Sequence, residues 1–335
     1  MSDITYPLFP IVTALGFVIV LIPLPWHLEA WNSGTCYYMI WVALACLNQF
    51  VNSVVWTNDA LNRAPIWCDI STRITLGAAV GIPASSLCIM RRLYNISKVQ
   101  AVATTRAEKR RAVLVDTLIC VLFPIIEMVL AYIVQGHRFD IFEQVGCYPH
   151  IVNMLPAYFL VVMWPVVIGM ISAIYCGLTL WSFLQRQAQF SQFMSSNSSL
   201  TMSRYFRLMA LAGVELLCTT PLSVFLMVLN LTAQPLDPWV SWQDTHYNFS
   251  RVRLVPAVFW TMNRWLVVGI QVNRWSGPFC AFIFFAFFGF AAEARKNYRN
   301  TISKVFAFCR LKRDPLSPQK TSPGSVLCPI PAPTR

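Results

Sequence analysis

A chain of 335 residues with 56% hydrophobic and 12% charged residues, and a mean hydropathy of +0.55, is too apolar for a soluble domain, which carries about 25% charge. The net charge of +12 does not point to nucleic acid, because all six lysines (Lys98, Lys109, Lys296, Lys304, Lys312, Lys320) fall in two basic stretches between or after apolar runs. Eleven scattered cysteines with no CxxC spacing exclude a disulfide-rich small domain and argue against a zinc site.

In chain order, apolar windows predict seven membrane spans: Pro7–Trp26, Cys36–Trp56, Ile70–Met90, Ala112–Val134, Pro156–Phe183, Leu208–Leu231 and Trp275–Ala292. The first has no basic n-region or cleavage site and reads as a retained helix. The third is the organising element. Gly77, Ala78, Ala79, Gly81, Ala84, Ser85 and Ser86 give it a thin waist, and small side chains let neighbouring helices approach closely in lipid. It is therefore expected at the centre of the bundle. A further apolar stretch, Leu254–Arg274, is interrupted by Arg264 and is expected to lie as an amphipathic segment on the outer surface. With seven spans and the N-terminus outside, nineteen Lys and Arg fall on the cytoplasmic side and seven outside. An eighth span would put the basic tail on the wrong side. The expected architecture is an all-α membrane protein, a seven-helix bundle over 1–292, with a basic, Pro/Ser-rich cytoplasmic tail over 293–335.

Catalysis is poorly supported. The four histidines (His27, His137, His150, His246) are far apart in sequence, and neither an HExxH pair, a G-x-S-x-G elbow nor a P-loop occurs. No metal or cofactor is expected; the last span has no lysine for a retinal Schiff base. Cys68 and Cys147 are the cysteines at or beyond the outer ends of the spans, and a disulfide between them suits an oxidising exterior, with two separate thiols as the alternative. Asp69 and Arg73 stand at i and i+4, as a local pair or as ligand contacts. Asp116 is expected to be solvated at the inner rim. Glu127 and Glu215 lie deeper, and Glu215 serves either an interhelical hydrogen bond or signalling. Pro83, Pro124, Pro165 and Pro221 each free a backbone carbonyl; Pro221, mid-span in the sixth helix, is a candidate hinge beside Glu215. Asn248-Phe249-Ser250 is a glycosylation sequon on the outer side.

Four motifs in order go further. Trp67-Cys68-Asp69-Ile70, Arg91-Arg92-Leu93-Tyr94, Phe139-Asp140-Ile141-Phe142-Glu143 followed by Gly146-Cys147, and Arg274-Trp275 with Phe287-Phe288-Gly289-Phe290, Glu293-Ala294 and Tyr298 resemble the fungal mating-pheromone receptors for a-factor-type lipopeptides, class D of the G-protein-coupled receptors. The resemblance spans roughly Leu8 to Arg299. It implies a farnesylated peptide pheromone as ligand, a heterotrimeric G protein as partner, the lipid bilayer of the plasma membrane as location, no nucleic-acid partner and no enzymatic activity; a homo-oligomer is left open. Ligand-contact candidates are Trp67, Asp69, Arg73, Tyr148 and Trp265, among an outer set of aromatics (also Trp56, Trp239, Trp242 and Trp260) that could equally be an interfacial belt. Coupling candidates are Arg91, Arg92, Arg110, Arg111, Arg204 and Arg207, whose charges could equally set topology. The competing class, a transporter or channel, lacks the internal repeat that class usually carries.

Overall fold

The computed structural model describes residues 6–98, 105–185, 202–233 and 235–290. The proposed tail, 293–335, lies outside them. Among the described residues, six helical spans are long and apolar enough to cross a membrane: Leu8–Glu29, Ser33–Val55, Pro65–Ser97, Arg106–Val134, Trp164–Gln185 and Tyr205–Thr232. A seventh helix, Arg264–Phe288, completes the bundle. At 25 residues and about 1.5 Å per residue it is long enough to span.

The seventh helix corrects the expected boundary. It starts at Arg264, where an outer amphipathic stretch was expected, and is capped by the Asn263 side chain, which accepts from the amides of Trp265 and Leu266. Arg264, Gln271, Asn273 and Arg274 lower the apolarity of its first half and hide it from a hydropathy window. Arg274 is buried, with its guanidinium 4.1 Å from the centroid of the Phe9 ring on the first span. A cation over an aromatic face keeps much of its electrostatic compensation on leaving water.

The third span is central. It packs against the second, fourth, fifth and sixth spans. Two-thirds of its apolar window is buried, against 12–44% in the other five. Its glycines make room for neighbouring side chains: a Cβ on Gly81 would stand 2.4 Å from the Trp41 ring, and one on Gly77 2.5 Å from Met128 Cε and 2.8 Å from the Trp41 ring. Trp41 is held in place by donating its indole N–H to the Cys120 carbonyl at 2.8 Å. That carbonyl is available because Pro124, four residues on, has no N–H to give it; the helix relaxes into a π-turn over Leu118–Leu122. Proline in one span, tryptophan in a second and glycine in a third thus form one packing unit. Around it Tyr38, Met39, Met90, Leu93, Leu211 and Phe284 fill the core, with Tyr38 stacked on Phe284 at 5.6 Å. Leu122, Ile126, Val129, Ile174, Trp181 and Leu217 stay exposed on the flanks, as lipid-facing side chains do.

The outer loops add a small sheet to the helices. Strands β1 (Phe139–Phe142), β2 (Gly146–Tyr148) and β3 (Val252–Val255) lie in the order β2-β1-β3. β1 and β2 form an antiparallel hairpin with Ile141 opposite Cys147, and β3 pairs parallel to β1 with Phe139 opposite Val252. Gly146 sits at φ +93°, and a Cβ there would meet the Asn52 side chain at 2.6 Å, so the turn needs glycine twice over. Trp56 and Trp260 are buried beneath this cap. The Trp260 indole donates to the Glu143 carbonyl at 3.1 Å, and the Ala257 amide donates to the Glu143 carboxylate at 2.7 Å.

Candidate functional site

The third span begins with Trp67-Cys68-Asp69, and each residue ties it to something different. Trp67 donates its indole N–H to Asn52 Oδ1 of the second span at 2.8 Å, and Asn52 Nδ2 donates back to Ser71 Oγ at 2.9 Å. Cys68 forms a disulfide with Cys147 in β2, clamping the hairpin over the outer end of the bundle. Asp69 receives two bonds from the Arg138 guanidinium, at 2.9 Å from Nε and 2.5 Å from Nη2. This bidentate contact raises the Arg138 pKa above its ordinary value, chiefly through the hydrogen bond itself.

Of the two readings left open for Asp69 and Arg73, the local pair is not made among the described residues. Helical spacing brings two residues near, but better donors and acceptors decide which bonds form. Arg73 turns to the fourth span instead, donating to the Met128 carbonyl at 3.2 Å and to Gln135 Oε1 at 2.7 Å. Gln135 Nε2 in turn donates to the carbonyls of His137 and Arg138, at 3.1 and 2.6 Å. One polar chain therefore runs from the third span through the fourth and into the hairpin loop. Glu127, buried in the fourth span, has neither carboxyl oxygen hydrogen-bonded among the described residues.

Beneath this chain lies a cavity of about 680 Å³, within the ~300–1,000 Å³ usual for ligand sites. It is lined by the polar residues Asp69, Thr72, Arg73, Gln135, Arg138 and Ser250 and by the apolar residues Trp41, Leu44, Ile70, Ile74, Met128 and Phe249. Of the ligand-contact candidates, Asp69 and Arg73 line this cavity. Trp67, Tyr148 and Trp265 do not: Trp67 is engaged with Asn52, Tyr148 stacks edge-on against Phe142 at 5.9 Å, and Trp265 is exposed at the start of the seventh helix. Arg138, Gln135, Met128 and Trp41 went unnoticed in the sequence. Only the position of Gln135 and Arg138 just past the fourth span could have drawn attention to them.

The hairpin loop holds a second polar group. His137 Nε2 lies 2.7 Å from Asp140 Oδ1, and His150 Nδ1 lies 3.2 Å from Asp140 Oδ2. The two imidazoles, distant in sequence, are stacked with centroids 3.8 Å apart. Burial lowers the His137 pKa by more than its bond to Asp140 raises it. Burial alone would raise the Asp140 carboxyl, but the bonds and charges of His150 and His137 outweigh it and hold that carboxyl below its usual range.

At the inner ends of the helices Asp116 is buried rather than solvated as expected. It accepts from Arg91 Nη2 at 2.6 Å through one carboxyl oxygen and from the Ser33 hydroxyl through the other. The burial follows from its position facing the second and third spans, where two donors satisfy it. Arg92 donates to the Trp31 carbonyl. Arg110 and Arg111 are fully outward on the first turns of the helix Arg106–Thr117, which opens with a Thr105–Glu108 capping box. Arg207 is half-buried, bonded to Ser203 at 3.0 Å and 5.9 Å from the Phe288 ring centroid. The Arg204 and Glu215 side chains lie outside the described residues. The helix Met202–Ala233 continues through Pro221, and Thr220 seats against Gly169 of the fifth span, where a Cβ would stand 2.2 Å from its hydroxyl. Asn248 is exposed at φ +52° in the loop before β3.

Residues 8–308 match the family model STE3, described as "Pheromone A receptor". The chain is 59% identical over 298 residues to a protein of Schizophyllum commune named "Pheromone B alpha 3 receptor", covering 89% of this chain and 48% of that one. It is 33% identical over 316 residues to "Pheromone receptor 1" of Mycosarcoma maydis, covering 94% and 88%. To "Pheromone a factor receptor" of Saccharomyces cerevisiae it is 23% identical over 296 residues, covering 87% and 60%. The chain spans about half the length of the Schizophyllum relatives it matches. Its helices and its matches agree on a multi-pass membrane protein with a seven-helix bundle, of a kind usually placed in the plasma membrane. The chain belongs to the fungal pheromone A receptor family.

Proposed function

We propose that this protein is a mating-pheromone receptor whose ligand is a lipid-modified peptide and whose output is a heterotrimeric G protein. The observation that carries the ligand class is the mixed lining of the outer cavity, which combines the polar and charged Asp69, Arg73, Gln135 and Arg138 with the apolar Trp41, Leu44, Ile70, Ile74 and Met128. A prenyl chain contributes about 0.8 kcal/mol per buried CH₂ and needs an apolar wall, while a peptide backbone needs charged and amide partners. Ile70 is half-exposed on the membrane flank of this wall, which suits a ligand arriving from the lipid.

Orientation supports the same reading. The Cys68–Cys147 disulfide belongs on the oxidising side, which puts the cavity outside and Arg91, Arg92, Arg110 and Arg111 inside. The exposed arginines of Arg106–Thr117 offer a basic inner surface to a partner. Pro221 supplies the place where the sixth span could bend as that surface opens.

Coupling is tested in membranes containing the receptor and its G protein. Binding at one face and at the other must be thermodynamically reciprocal. A non-hydrolysable GTP analogue is expected to weaken binding of a labelled farnesylated pheromone. Affinity that is unchanged by the analogue, at confirmed G-protein stoichiometry, would contradict coupling.

A further inference from the structure

We propose that His137, Asp140 and His150 form a binding site for a divalent transition-metal ion, zinc by its ligand chemistry, in the outer cap of the receptor. Each residue offers one ligand atom, and these atoms lie within 4.8 Å of one another. A tetrahedral zinc ion about 2.0–2.2 Å from each donor holds neighbouring donors roughly 3.3 Å apart. One Asp140 oxygen stands 2.7 Å from His137 Nε2 and the other 3.2 Å from His150 Nδ1. The donors are thus already gathered, and the two rings, stacked 22° from parallel, must turn for their lone pairs to converge on one ion. Two imidazoles with one carboxylate select zinc or its transition-metal neighbours over magnesium and calcium, which prefer oxygen ligands.

The fold builds this set in a fixed place. Asp140 pairs with Tyr148 across the hairpin, and His150 follows two residues later on the same side. His137 precedes β1, and a bridge between Gln135 and Ile151 closes the neck behind all three. His137 and Asp140 are buried, while His150 is 27% exposed in its side chain and leaves a way in from solvent. To ligate the ion, each imidazole presents the nitrogen that faces Asp140 without a proton and carries its ring proton on the other nitrogen. The group that opposes the ion is Arg251, whose guanidinium faces His137 Nδ1 at 3.4 Å. It is exposed, so it can withdraw into water when that nitrogen becomes a donor.

The site is joined to the cavity rim. Gln135 Nε2 donates to the His137 and Arg138 carbonyls, and its Oε1 accepts from Arg73. An ion across His137, Asp140 and His150 pins the neck of the hairpin that supplies that rim.

The test is thermal unfolding of the full-length receptor, purified without a histidine tag and held in detergent, with zinc chloride, magnesium chloride or calcium chloride added. No pheromone is needed, so the outcome is separate from that of the ligand assignment. Zinc at micromolar concentration is expected to raise the midpoint by several degrees, and magnesium and calcium are expected to leave it unchanged. His150→Ala, the variant least disturbing to the core, should weaken the zinc response at least about tenfold, the loss that even an outer-shell change can cause. His150→Cys should retain it. Arg251→Ala should move the response to lower zinc. Absence of a zinc shift in the unmodified receptor up to millimolar concentration overturns the proposal, as does an equal shift in His150→Ala.

Discussion

Arg91 Nη2 meets Asp116 Oδ1 at 2.6 Å, joining the inner ends of the third and fourth spans, and the Ser33 hydroxyl adds the second span to the same carboxylate. Under the proposed coupling to a G protein, a charge pair tying these inner ends together would restrain the resting state. It assigns Arg91 a different part from its neighbours Arg110 and Arg111, which face outward.

Asp116→Asn keeps a partner for Ser33 but removes the charge that holds Arg91. Ligand-independent signalling is expected to rise several-fold at unchanged surface abundance, read with a mating-pathway reporter and surface labelling together. Asp116→Ala should instead lose surface protein, because stranding a buried partner costs about 3–5 kcal/mol. Unchanged basal signalling from a well-expressed Asn variant would reduce the pair to a structural tie.

Arg110→Ala combined with Arg111→Ala should lower the maximal response while pheromone binding at the cell surface stays the same. Both side chains are exposed. If they only anchor the loop to anionic lipid, surface abundance falls and the response per receptor does not.

Cys68→Ser and Cys147→Ser should each cost about 2–4 kcal/mol of stability, and the double variant no more than either alone. Thermal unfolding of the three proteins measures this directly. Additive losses would mean two independent thiols.

Gly81→Ala places a methyl group into the Trp41 ring, which cannot retreat while its indole is bonded to the Cys120 carbonyl. A loss of roughly 1–3 kcal/mol is expected from such overpacking. Trp41→Phe in the same chain should recover part of it, which separates a steric cause from a change in helix propensity.

The parts that could be read from the sequence were those carried by composition along one helix. The small residues of the third span marked it as central, and Trp41, with Met128 beside Gly77, fills the space that Gly77 and Gly81 leave. Pro124 announced a free carbonyl, though not that Trp41 would take it. What escaped were partnerships made across the chain. Asp116 lies 25 residues from Arg91, and nothing local distinguishes a carboxylate that meets an arginine from one that meets water. Asp69 and Arg73 had the right spacing for each other and found Arg138 and Gln135 instead. His137 and His150 became neighbours only because the hairpin folds back at Gly146. The start of the seventh helix was hidden by Arg274, whose charge looks prohibitive until Phe9 stands beneath it.

Sidedness has its own test. Asn248 is exposed in the outer loop, and Asn248→Gln should remove whatever glycan the receptor carries, seen as a mobility shift. Asn95, in the sequon Asn95-Ile96-Ser97 and exposed at the inner end of the third span, should carry none, and a glycan there would invert the topology.

The most direct measurement of the central claim, that a lipidated peptide occupies the outer cavity, is a binding comparison at one position. Ile74 is one of the apolar lining residues, and Ile74→Trp fills space there while leaving Asp69, Arg73 and Arg138 unsubstituted. Affinity is measured for a farnesylated pheromone and for the same peptide without its prenyl group, in the unmodified receptor and in this variant. The account predicts that the prenyl group strengthens binding to the unmodified receptor by at least tenfold and that most of this gain is lost in Ile74→Trp, with the unprenylated peptide little affected. An equal gain from prenylation in both receptors would place the lipid elsewhere and contradict the account.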